Sequence, residues 1–250
     1  MAQSGKGRME IFEDFFGIED PVALTTVAPR PLGPFMVVGQ GINEGDAGAP
    51  ALDSDGLSGV VQLTTTNEAD HTTGIQTSSM FDVGLMGTIV AEARVRQAAL
   101  SSREVFMGFT DINIGSDVPS IQTDLSHIGS TTVTLTASDI CGFHLSSEAT
   151  DATDWHGIYN GGTTTGETTS TSVDLDSVAV AGEWQQLRLE IDTNGTCRWY
   201  VDGELKQTVT GAVSTSVDLK FFLAAEAKAT TIATLDVDYV LIRANRDWTK

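Results

Sequence analysis

Apolar and polar residues alternate with period two along most of the chain, a pattern that predicts β-strands with one buried face. The clearest case is the stretch 88–98, where Ile89 and Val95 fall on one face and Arg94 falls on the other. Helical periodicity, with apolar residues at i, i+3, i+4 and i+7, is almost absent. The pattern therefore predicts a protein that is nearly all β.

Residues 186–209 predict a three-stranded antiparallel meander. Thr193-Asn194-Gly195 separates the first two alternating runs, and Asp202-Gly203 separates the second from the third. Asn, Asp and Gly accept the positive φ angles that tight hairpin turns require. The two turns therefore fix the pairing of the three strands.

About a dozen short runs of this kind, divided by Gly, Asp, Asn and Thr, indicate a sandwich or barrel. We expect a short N-terminal arm at 1–10 and one domain at 11–250. Within the domain, the Pro-containing segment 21–57 is expected to run extended and rich in loops. The Thr/Ser/Gly run 161–172 is expected to form an exposed hairpin loop.

The net charge of the chain excludes some classes of binding partner. The chain has 250 residues, with 14 Lys+Arg against 34 Asp+Glu, and a net charge of −20. Such an acidic surface is repelled by nucleic acid phosphates and anionic lipids, so we expect neither partner. No membrane-spanning or secretory segment is recognisable. The two cysteines, Cys141 and Cys197, have no zinc-ligand spacing and are expected to be free and buried.

Several segments, taken in order, resemble the concanavalin A-like (laminin G-like) jelly roll. A Trp opens a strand in Gly182-Glu183-Trp184, an aromatic-x-Asp-Gly turn follows in Trp199-Tyr200-Val201-Asp202-Gly203, and Leu235-Asp236-Val237-Asp238-Tyr239 continues the series. The resemblance spans roughly residues 58–245. It implies a β-sandwich of two antiparallel sheets.

The run is also similar to jelly-roll proteins encoded among the structural genes of tailed bacteriophages. That resemblance implies a non-enzymatic virion protein on the capsid surface, a decoration or cement protein that bridges capsid subunits. Its partner would be the major capsid protein, and a homotrimer is the expected assembly. Lys6, Arg8 and Met9 in the N-terminal arm are the candidate capsid contacts.

Catalytic patterns are weak. Some sandwich glucanases carry Glu-x-Asp-x-(x)-Glu on one strand, but Glu190-Ile191-Asp192 is followed by Thr193-Asn194-Gly195 without a second Glu. Asp236 and Asp238 alternate on a strand and remain a remote glucanase alternative. No histidine stands in a paired nucleophile motif. We therefore expect no enzyme and no catalytic residue.

A structural calcium ion is the metal that the sequence leaves open. No cofactor or defined metal site is predicted, but oxygen ligands for a structural calcium ion cluster in loops. The clusters are Asn43, Glu44 and Asp46; Asp53 and Asp55; and Asp151 and Asp154.

The alternative function is carbohydrate binding, as a lectin-like virion surface or adhesin module. Trp155, His156, Tyr159 and Asn160 form the best candidate patch, because Trp155 and Tyr159 share a strand face. An exposed aromatic cluster around Trp155 with a metal-binding loop would favour this function, and the other reading of Trp155 is core packing.

Overall fold

The computed structural model describes residues 7–16, 31–39, 50–52, 59–112 and 120–246. Within them, two large antiparallel sheets pack face to face, which confirms the predicted jelly-roll sandwich. Lys6, most of the segment 21–57 and the two oxygen clusters at 43–46 and 53–55 lie outside the described residues. No helix in the described ranges is long and apolar enough to cross a membrane.

Sheet 1 has the meander at one edge, and its opposite edge is divided between the short strand 50–52 and the N-terminal strand 8–13. Its strands, in spatial order, are β17 (Glu204–Val209), β16 (Cys197–Val201), β15 (Trp184–Ile191), β8 (Ile89–Gln97), β19 (Thr234–Asn245), β5 (Val61–Thr64) and β4 (Pro50–Leu52), with β1 (Arg8–Glu13) also paired to β19.

Sheet 2 packs against it with nine strands. In order they are β14 (Asp174–Val178), β13 (Asp154–Asn160), β12 (Ile140–Ser146), β9 (Arg103–Thr110), β18 (Asp218–Ala227), β6 (Thr72–Gln76), β3 (Phe35–Gly39) and β2 (Pro31–Leu32), with β7 (Phe81–Asp82) paired to β18.

The main core lies between the sheets. Alternation in β8 sends every second side chain inward, and its burial pattern alternates along all nine residues. Phe109 of sheet 2 packs edge-on against Phe81 and Phe221, with ring centroids 5.1 and 5.8 Å apart. Such aromatic pairs stabilise a core beyond the area that they bury.

A second, smaller core covers the outer face of sheet 2. The hairpin of β10 (Ser126–Gly129) and β11 (Thr132–Leu135) lies there with a π-helical turn at Ile121–Leu125. Ile128, Val133 and Leu125 pack on Phe106 and Phe222. Sheet 2 is therefore buried on both faces beneath this hairpin. Two further four-residue helices, Val83–Met86 and Ser170–Val173, lie in connections.

Several local predictions are confirmed. The meander β15–β16–β17 forms as expected, and Asp202 and Gly203 both adopt positive φ at the second turn. The run 161–172 joins the paired strands β13 and β14 and is mostly exposed. Cys141 and Cys197 are free and buried, and burial, with the Cys197 thiol beside it, raises the pKa of Cys141.

The predicted N-terminal arm needs correction. Arg8–Glu13 is strand β1, and it pairs with β19 from Arg8 opposite Asn245 to Glu13 opposite Val240. Arg8 and Met9 are thus part of the sandwich rather than a free extension. This pairing joins the two ends of the described chain, which local sequence patterns cannot reveal.

Candidate functional site

The predicted carbohydrate patch does not form an exposed platform. Trp155 and Tyr159 share a face of β13, as predicted, but that face points into the main core and both side chains are buried. The Trp155 ring meets Phe143, and its Nε1–H donates to Gln185 Oε1 at 2.9 Å. Core packing, the other reading of Trp155, is what the structure shows.

His156 and Asn160 lie on the opposite face of β13, and this face is covered as well. His156 is fully buried. The Asn160 side-chain amide donates to the Ala137 carbonyl oxygen at 3.1 Å, beside the β10–β11 hairpin. The prediction that these four residues form an accessible glycan surface is therefore wrong.

The carboxylates considered for glucanase chemistry are held by arginines. Asp236 accepts from Arg96 at 2.8 Å, and Asp238 accepts from Arg94 at 2.7 Å. Glu190 is likewise paired with Arg188. These acids form ion pairs on a sheet surface, so they do not make a free pair of catalytic carboxylates.

The same ion pairs belong to a larger surface, the outer face of sheet 1, here called the arginine–aromatic face. The sheet pairings place six of the chain's nine arginines on it, together with four aromatic rings. Its members are Arg8, Arg94, Arg96, Arg188, Arg198, Arg243, Phe12, Trp184, Tyr200 and Tyr239.

Guanidinium groups and rings stack on one another across this face. The Arg94 and Arg96 guanidinium carbons lie 4.9 and 4.7 Å from the Trp184 ring centre, and Arg188 lies 5.7 Å from that of Tyr200. Cation–π contacts of this kind favour a fixed arrangement of both groups. The face therefore presents ordered planar groups rather than loose side chains.

Charge on the face is balanced locally. Arg198 pairs with Asp192 at 2.6 Å, and Arg243 pairs with Glu10 at 2.8 Å, in addition to the pairs above. The whole chain carries a charge of −20, so its other surfaces carry the excess of acid. The arginine–aromatic face is thus a region where a partner meets little net repulsion.

One end of the face is open. Phe12 is 55% exposed beside Tyr239, with the ring centres 6.1 Å apart. A cleft of about 1170 Å³ adjoins it, lined by residues of β1, the start of β8 and the end of β19, including Arg8 and Arg243. The β1 end therefore adds an exposed ring and a concave surface to the face.

A different group of polar side chains is buried on the outer face of sheet 2. Glu104 of β9 and Glu226 of β18 are cross-strand partners, and both are fully buried. Lys228 lies 3.6 Å from Glu226 and 3.2 Å from Glu148. Glu104 accepts from Ser146 Oγ at 2.9 Å.

The neighbours of the two glutamates move their pKa values apart. Burial opposes ionisation of Glu104, but the His127 hydrogen bond at 3.1 Å and the nearby His144 ring outweigh it and lower its pKa to about 2. Burial and the Glu104 charge raise the pKa of Glu226 to about 7. Divergent carboxyl pKa values occur in acid–base sites, but neither carboxyl group here reaches the surface.

Two groups of side chains have metal-ligand spacing among the described residues: Glu104, His127 and Glu148, and Asp151, Asp154 and Asp174. Lys228 already supplies positive charge to the first group through Glu148. The second includes the Asp151–Asp154 cluster that the sequence left open for calcium, and it adds Asp174 from a neighbouring strand.

Comparison with known proteins identifies the fold of the chain. No protein-family description matches the chain, and no curated protein is significantly similar to it. Among solved structures, a protein of unknown function from Shewanella oneidensis MR-1, SO2946, is 13% identical, with a TM-score of 0.54 over 98% of this chain and 90% of its own.

Carbohydrate recognition domains have the same fold. The Emp46p domain in its metal-free form is 10% identical, with a TM-score of 0.57 over 92% of this chain and 94% of its own. The Crh5 transglycosylase is 15% identical, with a TM-score of 0.53 over 95% of this chain and 84% of its own. At these identities the likeness shows a shared concanavalin A-like sandwich and nothing finer.

Sequence reasoning missed both the arginine–aromatic face and the buried glutamate pair. The face had a visible signal, since Arg94, Arg96, Arg188 and Arg198 all occupy the polar phase of alternating strands. Glu104 and Glu226 had a fainter signal, since each is the one charged residue in an otherwise apolar run, 104–109 and 221–227. Only strand pairing brings each set together.

Proposed function

We propose that the protein is a non-enzymatic structural protein that docks on a larger protein assembly through the arginine–aromatic face, as a decoration protein of a tailed-phage capsid. The observation that carries the proposal is the composition of that face. Arg, Tyr and Trp are enriched at protein interfaces and dominate their binding energy. The sequence resemblance to jelly-roll proteins of phage structural-gene regions supplies the capsid as the partner.

Shape and charge support a protein partner. Apart from the cleft at its β1 end, the face is the open surface of a sheet, whereas small-ligand sites are concave and enclose most of the ligand. Its local charge balance lets a molecule of net charge −20 approach another surface without like-charge contact. In this proposal the major capsid protein lies against the face, and the acidic surfaces point to solvent.

The absence of catalysis is part of the proposal. Asp236 and Asp238 on sheet 1 are ion-paired with Arg96 and Arg94, and the two glutamates with separated pKa values are buried. We also propose assembly as a homotrimer on the capsid surface, which the same sequence resemblance implies.

A carbohydrate-binding function is the second candidate, favoured by the fold shared with the Emp46p and Emp47p carbohydrate recognition domains. The ligand surface would then be the exposed aromatic end of the arginine–aromatic face at Phe12 and Tyr239, since Trp155 is buried.

Co-sedimentation with undecorated tailed-phage capsids tests the proposal, with a glycan array run on the same preparation. The double variant Arg188→Ala/Tyr200→Ala removes one stacked pair from the face. We expect saturable capsid binding by the wild type, a loss of at least about tenfold in affinity for this variant, and a blank array.

The matched control is Thr134→Ala/Val178→Ala, which truncates two exposed side chains on sheet 2 and its covering hairpin. It should bind like the wild type. Equal binding by both double variants would overturn the docking face. Absence of capsid binding, with a glycan signal lost in Phe12→Ala, would replace the proposal with the carbohydrate-binding candidate.

A further inference from the structure

The cleft at the β1 end of the arginine–aromatic face carries an excess of positive charge. The described residues that line it include three arginines, Arg8, Arg243 and Arg246, and one acidic residue, Glu10. Arg243 Nε donates to Glu10 Oε2 at 2.8 Å, so this acid is already engaged. Guanidinium groups stay protonated in proteins. The cleft therefore has two positive charges in excess, on a chain whose net charge is −20.

The two ends of the described chain bring these arginines together. The pairing of β1 with β19 places Arg8 opposite Asn245. Just beyond the paired residues, the Arg246 backbone N–H donates to the Gly7 carbonyl oxygen. Side chains alternate between the two faces of a strand, so the exposed Arg243 and Asn245 project from the outer face of sheet 1. The backbone therefore fixes where the guanidinium groups originate.

Arg8 and Arg246 differ from the arginines on the rest of the face. There, each arginine contacts a carboxylate group: Arg94, Arg96, Arg188 and Arg198. In the part of the chain that the structure describes, the side chains of Arg8 and Arg246 form no ion pair or hydrogen bond, and both are exposed. The charge balance of the face thus ends at the cleft. Acceptors for these two groups come from solvent or from a bound molecule.

The cleft also has an apolar part. Phe12 is 55% exposed, Val90 is half-buried, and both line the cleft beside the arginines. An inorganic anion would satisfy the guanidinium groups and leave the Phe12 ring in water. A ligand that combines carboxylate groups with an apolar group contacts both parts, and a peptide with acidic and apolar side chains has this composition.

Acids next to the cleft disfavour a long polyanion. Thr88, in the lining, donates through Oγ1 to Asp192 Oδ1 at 3.3 Å, and Glu190 lies opposite Val90 on the neighbouring strand. A nucleic acid or a sulfated glycan carries charge along its whole length and would extend from the cleft toward these acids. A peptide can place two carboxylates in the cleft and leave its flanking residues uncharged.

We propose that the cleft binds an acidic peptide segment, with carboxylate side chains on Arg8 and Arg246 and an apolar side chain against Phe12. The inference rests on the proposed function, in which the arginine–aromatic face docks on a protein, and it names an acidic loop or terminus of that protein as part of the contact. Hydrogen bonds between arginine and carboxylate are charge-assisted and often bidentate. Glu10 holds Arg243 and therefore competes with the ligand.

A titration followed by NMR tests the site and detects weak binding. The backbone amide and arginine side-chain signals of isotope-labelled full-length protein are recorded against the end-capped peptide Gly-Asp-Leu-Asp-Gly. The matched peptide Gly-Asn-Leu-Asn-Gly lacks the charges alone. We expect saturable shifts centred on Arg8, Phe12 and Arg246 with the acidic peptide and none with the amide peptide. Raising NaCl from about 50 to about 300 mM should weaken binding at least about threefold.

Substitutions that change the charge of the cleft in both directions make the test specific. Arg8→Gln and Arg246→Gln should each weaken peptide binding at least about threefold, and the double variant at least about tenfold. Glu10→Gln should strengthen binding about twofold or more, because it releases Arg243. Lys206→Gln makes the same charge change as each single arginine variant, on β17 outside the cleft, and should retain wild-type affinity.

Three results would overturn the proposal. They are an equal response to the two peptides, unchanged affinity in the double variant, and shifts spread evenly over the surface. Tighter saturation of the same signals by heparin would assign the cleft to a sulfated glycan instead.

Capsid co-sedimentation of the same double variant separates this inference from the proposed function. Capsid binding that survives Arg8→Gln/Arg246→Gln, but not Arg188→Ala/Tyr200→Ala, would support the docking face and overturn the acidic contact. Saturable peptide binding without capsid binding would support the cleft as an acidic-peptide site and overturn the capsid as the partner.

Discussion

Glu226 illustrates how one buried side chain fixes a whole segment. Its Oε2 accepts hydrogen bonds from Thr72 Oγ1 and Ser120 Oγ, both at 2.7 Å, and from the backbone N–H groups of Ile121 and Gln122. These donors belong to β6 and to the start of the π-helical turn. The carboxyl group therefore ties the turn to the sheet beneath it.

The raised pKa of Glu226 gives a pH dependence with a defined sign. The pKa of Glu226 is about 7 in the folded protein and 4.5 in the unfolded chain. Between these two pH values, the folded protein therefore keeps a proton that the unfolded chain releases. Stability from this group is complete below pH 4.5 and is lost as the pH rises through about 7. The loss is on the order of 3 kcal/mol.

Glu226→Gln should remove this part of the pH dependence. Urea unfolding at several pH values between about 4.5 and 8 measures it, as the difference between wild-type and variant unfolding free energies. Glu183→Gln, at an exposed turn, should follow the wild-type curve. If Glu226→Gln also follows it, Glu226 is ionised throughout and the buried proton is disproved.

The two thiols give a second prediction at this scale. Cys141 and Cys197 are completely buried, and burial raises the pKa of Cys141, so the reactive thiolate is scarce in the folded protein. A thiol reagent such as DTNB should label neither cysteine in the native protein and both in guanidinium chloride. Rapid labelling of the native protein would show that the core between the sheets opens easily.

At the scale of the element, the β10–β11 hairpin decides which faces of the sandwich are available. It covers Phe106 and Phe222 on sheet 2, and it leaves the outer face of sheet 1 as the open sheet surface among the described residues. The hairpin therefore explains why we assign docking to sheet 1.

Ile128→Ala tests whether the hairpin is an integral part of the fold. Ile128 is fully buried, so the truncation should cost about 2–4 kcal/mol of unfolding free energy in chemical denaturation. Thr134→Ala, at an exposed position of the same hairpin, should change stability by less than about 0.5 kcal/mol. A cost for Ile128→Ala as small as the control's would mean that the hairpin packs loosely.

For strands with one solvent-facing side, the sequence pattern predicts which side chains are buried. For strands that are covered on both sides, it does not. β8 and β15 alternate clearly because the outer face of sheet 1 meets water. In β13, alternation correctly grouped Trp155 with Tyr159, but it cannot say which face points inward. The covering hairpin buries the other face too, so neither face of β13 offers the exposed patch that was predicted.

Local sequence patterns do not predict which strands pair when they are far apart in the chain. β1 pairs with β19, more than two hundred residues away, and this contact converts a predicted arm into an edge strand. Glu104 and Glu226 likewise meet only because β9 and β18 are neighbours. The fold class, the meander and the free cysteines were accessible from sequence, whereas both clusters of interacting side chains required the topology.

For the whole molecule, charge distribution and fold define one surface suited to docking. A net charge of −20 keeps most surfaces apart from other acidic molecules, while the arginine–aromatic face is locally neutral and rich in ordered planar groups. The β10–β11 hairpin is a separate two-stranded sheet that covers part of the outer face of sheet 2. The face that is open for docking therefore belongs to sheet 1.

The most direct test of the docking face is a cryo-electron microscopy reconstruction of a tailed-phage capsid saturated with the protein. We predict symmetric, saturable occupancy of the shell, with Arg188, Tyr200 and Phe12 against capsid subunits and the β10–β11 hairpin facing solvent. An unoccupied shell, or bound copies with the arginine–aromatic face turned to solvent, would contradict the proposed function.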